Sequence, residues 1–296
     1  MNWDDGRLFL AVARAGQLLG AARSLGLTQA TLSRRMKALE EGLGATLLVR
    51  RPHGCGLTPA GEALAATLER VEAEFDGASD RIGGEDRRLS GVVRIGAPDG
   101  LGVSFIAPRL GLFADRHPGL AIQLVPAPRA FSLSQREADL AVLVGRPRGG
   151  DATARRLATY SVGLYASAGY LAEHGVVESA ADLARHRLIG FVEDLIYSPD
   201  LDYCAALFGA APARIGITSA TGQLAAVAAG AGIGALHDYI AAEAGGLVRV
   251  LPERRAEREY WLAIPRSLVQ VARVRAAADF LLEQARAARG IFAPAP

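Results

Sequence analysis

Residues 24–51 read SLGLTQATLSRRMKALEEGLGATLLVRR. Short polar residues and arginines alternate here with leucines, as expected if one helix has two unlike faces. At 100° per residue, Leu32, Met36, Leu39 and Leu43 fall within about 60° of one another and form a stripe for a core. Ala30, Arg34 and Lys37 lie nearly opposite, Thr31 and Ser33 flank them, and Arg35 falls nearer the core edge. Small and basic side chains let such a face lie close to a major groove, where an arginine can pair with two acceptors on guanine. Thr28 and Gln29, at the start of this helix, can reach phosphates or base edges. Taken alone, the face reads better as a solvated basic helix; its surroundings reverse that.

Upstream, Leu8, Phe9 and Val12 mark a helix over 3–15, and Ala21, Ala22 and Leu25 a second over 18–25. Ala22, Gly26 and Leu32 have the spacing of a helix-turn-helix. The alanine is small beneath the next helix, the glycine supplies a positive φ at the turn, and the leucine fills the space between the helices. Downstream, Leu47–Arg50 reads as a strand, Pro52–Gly56 as a turn and Leu57–Thr58 as a return strand. That is a wing, with Arg50 and Arg51 on its edge able to meet a phosphate backbone. Residues 1–60 carry eight basic groups against four acids, although the whole chain is only +2. A basic head on a slightly acidic body points to a polyanionic partner for the head.

Beyond the wing, Thr58 is a suitable N-cap and Pro59 a suitable first helical residue. The helix that follows places Leu64, Leu68, Val71, Phe75, Ala78 and Ile82 at 4-3-4-3-4 spacing, an a/d seam. The stripe could pack on its own domain. Its charged outer faces and its position between two units favour a helix pair between two chains, so Leu64, Leu68, Val71 and Phe75 are the expected dimer contacts. Gly83–Arg88 reads as a hinge.

From residue 90 short apolar strands alternate with helices. Strands are expected at 91–96, 120–126, 138–145, 161–166, 188–192, 215–219, 233–236 and 259–264, with helices at 105–116 and 267–287. This pattern gives an α/β body with mainly parallel strands. The whole is therefore an α+β multidomain chain.

Several chemistries find no support in the sequence. Cys55 and Cys204 have no metal-ligand or redox spacing and read as free thiols. The five histidines form no HExxH motif, so no metal site and no catalytic residue is assigned and no cofactor is expected. Gly230–Gly234 resembles part of a dinucleotide loop but precedes a strand where that motif must follow one. The start MNWDDGRLFL lacks the positive region of a signal peptide, and the longest apolar run, 224–236, is too short for a bilayer. A cytoplasmic protein without membrane contact is expected. The body alone would also suit a solute-binding protein, against which the basic head and the missing signal peptide argue.

The segment AARSLGLTQATLSRRMKALEEGLGATLLVRR, followed by LTPAGEAL, resembles the N-terminal domain of LysR-type transcriptional regulators. The resemblance rests on Ala21-Ala22, Leu25, Leu27, Gln29, Leu32-Ser33-Arg34, Leu39-Glu40, Leu43-Gly44, Leu47, Arg50 and Leu57–Gly61. Ala30 stands where the family usually has Pro, Leu48 where it has Phe, and Gln17 where it has Ser. In the body, RIGAP, FIAPRLGLFADRHPGLAIQL, READLAVLV, LYASAGYLAEHG, LAAVAAGAGIGAL and RVRAAADFLLEQ resemble the family's effector-binding domain. The resemblance implies a winged helix-turn-helix domain (1–60), a dimerising linker helix and hinge (61–88) and a two-lobed domain like periplasmic binding proteins (89–296). Lobe one would be 90–160 with 266–290, and lobe two 161–265. It further implies a homodimer or homotetramer, a dyad-symmetric promoter site on double-stranded DNA, a small-molecule effector in the cleft, and RNA polymerase as a candidate partner.

In open α/β sheets, ligands sit beyond the carboxyl ends of the strands. That nominates Asp99, Gly100, Leu101, Gly102, Pro126, Phe131, Phe191, Ser219 and Thr221 for the effector. Helix N-termini near 100–104 and 219–223 favour an anion there. Asp99 either caps its helix or repels acids and selects a neutral or cationic effector; Ser219 and Thr221 could likewise be mere caps.

Overall fold

The computed structural model describes residues 2–51, 54–82, 89–127, 137–147, 149 and 151–292; the side chains of 50, 73, 76, 77 and 79–82 are outside that description. Pro52 and His53 of the expected turn, the Gly83–Arg88 hinge, Phe131 and the side chains of Arg50 and Ile82 therefore lie outside the described residues. The chain forms two compact units, one built chiefly on Met1–Arg87 and the other on Arg88–Leu133, Ala138–Arg266 and Arg273–Pro296.

The first unit has helices α1 (Trp3–Ala15), α2 (Leu18–Ser24) and α3 (Gln29–Leu43), strands β1 (Leu48–Arg51) and β2 (Gly54–Leu57), and helix α4 (Pro59–Ile82). Asn2 and Asp5 close a reciprocal capping box on α1. Gly26 takes φ 66° at the turn into α3, a left-handed conformation that disfavours other residues. Leu8, Phe9, Val12, Ala21, Ala22, Leu32, Met36 and Leu39 form one core. Leu43 does not join it. It is the last residue of α3 and 41% exposed, because the stripe drifts around a straight helix. The wing pairs antiparallel from Leu48↔Leu57 to Arg51↔Gly54, so its return strand begins three residues earlier than the sequence suggests. Leu47 N and Leu48 N donate to Glu40 Oε1 at 2.7 and 3.0 Å, tying the wing to α3. Thr58 caps α4 by accepting from Gly61 N at 3.0 Å.

Half of the expected seam on α4 is internal. Leu68, 4% exposed, packs into the core against Gly6, and Leu64 lies beside it. Val71 and Phe75 stay 37% and 56% exposed, with the Phe75 ring 5.1 Å from that of Trp3.

The second unit is a sheet of eight strands: β3 (Gly91–Pro98), β4 (Leu120–Ala127), β5 (Leu140–Val144), β6 (Ala152–Ser167), β7 (Leu188–Gly190), β8 (Ile215–Gly216), β9 (Ile233–His237) and β10 (Leu247–Pro265). Its helices are α5 (Asp99–Leu101), α6 (Leu110–Arg116), α7 (Ala168–His174), α8 (Cys204–Phe208), α9 (Ala220–Ala228), α10 (Asp238–Ala244), α11 (Ala272–Ala287) and α12 (Arg289–Phe292). A π turn at Gly102–Ile106 and a 3-10 turn at Ala107–Arg109 join α5 to α6 where one regular helix was expected.

The strand order is β4-β3-β5-β10-β6-β9-β7-β8. The pairs β3–β4, β3–β5, β7–β8 and β7–β9 are parallel, whereas β10 runs antiparallel to both β5 and β6, and β6 antiparallel to β9. The sheet is thus mixed, not mainly parallel. The difference lies in β6 and β10, which are 16 and 19 residues long and whose outer halves the sequence pattern did not mark. They pass through both halves of the sheet. One half holds β3, β4 and β5, the other β7, β8 and β9. They cross from one half to the other over 158–162 of β6 and 256–260 of β10; the register jumps between Val250 and Arg255 in the half that holds β9 and shifts again between Tyr260 and Trp261, and Leu251 takes φ 48°.

Beside that crossing lies an aromatic core. Tyr160 stacks on Tyr260 with ring centroids 4.1 Å apart and on His237 at 5.1 Å; Tyr239 OH and Tyr260 OH are 3.1 Å apart. Asp238 accepts from Ser161, Tyr165 and Arg249 at 2.5, 2.9 and 2.9 Å.

Two outcomes follow from this packing. Leu68→Ala should destabilise the first unit by about 2–5 kcal/mol through a buried cavity. Denaturant unfolding followed by Trp3 fluorescence in a Trp261→Phe background measures it, and a loss below about 1 kcal/mol would contradict the packing. Burial drives the His237 imidazole down to about 4 from 6.5, against the opposing pull of Asp99 and Asp238. Between those values the unfolded chain binds a proton that the folded chain refuses. Stability of the second unit is therefore complete above pH 6.5 and falls as pH drops toward 4, by up to about 1.4 kcal/mol per pH unit. In His237→Gln, denaturation midpoints across that window should lose most of this slope.

Candidate nucleic-acid interface and ligand cleft

On the head, Thr28, Gln29, Ala30, Ser33, Arg34 and Lys37 are exposed and Thr31 is half-buried. Thr28 caps α3 by accepting from Thr31 N at 3.2 Å, so part of its hydrogen-bonding capacity is engaged locally. Lys37 Nζ lies 3.6 Å from Glu41, a loose pair on a fully solvated face. Arg34 makes no ion pair among the described residues. Arg51 is exposed, with its guanidinium lying across Gly56 of β2.

Arg35 differs from its neighbours. Its guanidinium is ion-paired with Asp5 and, at 2.9 Å, with Asp4, both in the first turn of α1, and its Nε donates to Asp5 at 3.0 Å. Hydrogen bonds from Arg7 and Arg35 hold the Asp4 carboxyl below the usual carboxylate range, and Arg35 does the same for Asp5. The sequence grouped Arg35 with the DNA contacts. These contacts tie α3 to α1 at the core edge, where the sequence placed Arg35.

In the second unit, Asp99 stands just past the carboxyl end of β3, and Ser219 precedes α9 in the other half of the sheet. The Asp99 carboxylate reaches across. Its Oδ2 accepts from Ser219 Oγ at 2.6 Å, Thr221 Oγ1 at 3.2 Å and Thr221 N at 3.3 Å, and its Oδ1 from Ala220 N at 3.3 Å. Asp99 is thus a cap, as one sequence alternative held, but of α9 and not of the helix it begins. Ser219 also caps α9 by accepting from Gly222 N at 3.0 Å. The two halves approach closely here: a Cβ on Gly100 would stand 3.0 Å from Ala220 Cβ and 3.0 Å from Ile240 Cδ1.

Of the nine residues nominated for the cleft, Asp99, Gly100, Ser219 and Thr221 come together. Leu101 is fully buried and Gly102 abuts Pro126, which is itself exposed. Phe191, buried past the end of β7, makes no ring contact with that group among the described residues. Sequence reasoning did not nominate Tyr197 or Tyr203 and took His237 for a buried or rim histidine, and it is 6% exposed. Burial pushes Tyr197 up to about 12, with the Asp99 charge adding, and pushes Tyr203 up as well. The signal available was the polar pair His237-Asp238 after the apolar run of β9. Among the described residues no three His, Cys, Asp or Glu side chains gather as metal ligands, and no helix is long and apolar enough to cross a membrane.

Both units have counterparts among known proteins. Residues 3–62 match the profile described as bacterial regulatory helix-turn-helix protein, lysR family, and residues 86–286 match the LysR substrate binding domain. CrgA, an HTH-type transcriptional regulator of Neisseria meningitidis serogroup C, is 29% identical over 294 residues, covering 96% of this chain and 97% of its own. An HTH-type transcriptional regulator of Xanthomonas campestris pv. campestris is 32% identical over 186 residues, 63% of this chain and 54% of its own, so that match spans about half of the relative. The solved structure of CrgA aligns at TM-score 0.61 and 25% identity over 96% of this chain and 99% of that one. A full-length OxyR variant from Pseudomonas aeruginosa aligns at TM-score 0.73 and 18% identity over 99% of this chain and 97% of that one, a likeness of fold. With its helix-turn-helix and substrate-binding matches together spanning most of its length, the chain belongs to the LysR family of bacterial transcriptional regulators.

Proposed function

We propose that the head reads DNA through Gln29, Ala30, Ser33 and Arg34, while Thr28, Thr31, Lys37, Arg50 and Arg51 contact phosphates and sugar. Arg35 positions α3 and leaves no free guanidinium for a base. The observation that carries this reading is the division on α3: Leu32, Met36 and Leu39 are buried, the opposite face is exposed, and the arginine between them is held by two carboxylates. Exposed Val71 and Phe75 continue the α4 stripe beyond its internal part and would meet the same residues of a second chain, as a two-fold pair requires. The cleft between the two halves of the sheet takes a small effector, and flexing at the β6–β10 crossing changes the spacing of the paired heads. Action on a promoter places the protein in the cytoplasm and requires no catalysis by the chain itself.

Two measurements test this. Arg34→Ala should cost about 1–3 kcal/mol of binding to a selected promoter fragment and relax base preference, read by competition mobility shift. Equal weakening on all sequences would make Arg34 a phosphate clamp only. Affinity should fall ~10³–10⁵-fold between 50 and 200 mM salt if the pair neutralises about six to ten phosphates. Phe75→Glu should shift the dimer toward monomer in sedimentation. An unchanged sedimentation profile would place the dimer elsewhere.

A further inference from the structure

At the meeting of the two sheet halves, Asp99 reaches from one half to the start of α9 in the other. Resting on the reading that this cleft takes the effector, we propose that Asp99 determines the charge class of that effector. It occupies in cis the seat that α9 offers to an anion, and the cleft accepts an ammonium-bearing ligand in place of a carboxylate.

Four observations converge. The donors at the start of α9 that would hold an acid are already engaged by Asp99: the hydroxyls of Ser219 and Thr221 and the amides of Ala220 and Thr221. An incoming carboxylate would have to displace a tethered one, or lie beside it and be repelled. The engagement is also lopsided. Oδ2 accepts three hydrogen bonds, whereas Oδ1 accepts one long contact of 3.3 Å, which leaves it lone-pair capacity for an N–H donor. No arginine, lysine or histidine nitrogen is within ion-pair reach of Asp99 among the described residues, so this half-buried carboxylate lacks a counter-charge that a ligand can supply. Finally, His237 is 6% exposed and its ring carries no hydrogen bond among the described residues. It stands beside Gly100, its Cε1 being 3.8 Å from the place a Cβ there would occupy.

The test uses the full chain and a panel of amine and carboxylate pairs sharing one carbon skeleton, from butylamine and butyrate to benzylamine and benzoate, titrated by calorimetry. The native protein should bind at least one amine saturably, with the paired acid at least tenfold weaker. Asp99→Asn keeps the size of the side chain and removes its charge; it should weaken that amine at least tenfold and narrow or reverse the preference. Asp99→Glu, as a check on folding, should keep the amine ahead of the acid. Preference for acids in the native chain, the absence of any bound amine, or an unchanged ratio in Asp99→Asn would overturn the inference. Promoter mobility shifts with the same compounds separate this from the effector reading. Control by acids alone leaves that reading standing and defeats this one. Amines that bind without altering promoter binding do the reverse.

Discussion

One helix must present two incompatible faces, and the head is organised around that demand. α3 drives Leu32, Met36 and Leu39 into the core formed with α1 and α2, and this rotation alone turns Ala30, Ser33 and Arg34 outward. A helix held only by an apolar stripe can still roll by some tens of degrees, and small rotations would misplace a side chain meant to meet a base edge. Arg35 stands at the boundary of the two faces, and its tie to Asp4 and Asp5 resists that roll. Glu40 does similar work farther along by holding the first residues of the wing. Exposed salt bridges contribute little to stability; here the geometry they impose matters more than their energy.

The second unit meets a different demand, two half-sheets that share a continuous backbone and still meet at a site. β6 and β10 supply the continuity by pairing with each other and with strands of both halves. Asp99 and the start of α9 supply the meeting point. A carboxylate at a helix N-terminus is favoured by the helix dipole and the free amides. Because the two partners come from opposite halves, the same interaction that caps a helix also draws the halves together.

Much of this was legible in the residues. The turn glycine at 26, the capping residue Thr58 and the stripe on α3 are local features, set by neighbours within a few positions, and they took the conformations their chemistry implies. What could not be read depends on distant partners. The α4 stripe looked like a seam between chains, yet Leu64 and Leu68 face α1, because a heptad pattern records apolar spacing and not which surface will cover it. The outer halves of β6 and β10, rich in Arg and Glu, carry no apolar alternation and were visible only once they paired with each other. Asp99 was seen as a cap, but its helix lies 121 positions on from its own, a relation no local pattern contains.

The central claim is that paired heads insert α3 into successive major grooves. Hydroxyl-radical footprinting of the protein on a selected promoter fragment tests it most directly. The account requires two protected patches related by a dyad, with centres one helical turn of about 34 Å apart or a whole multiple of it. A single protected patch, or cleavage indistinguishable from that of free DNA at low salt, would contradict it.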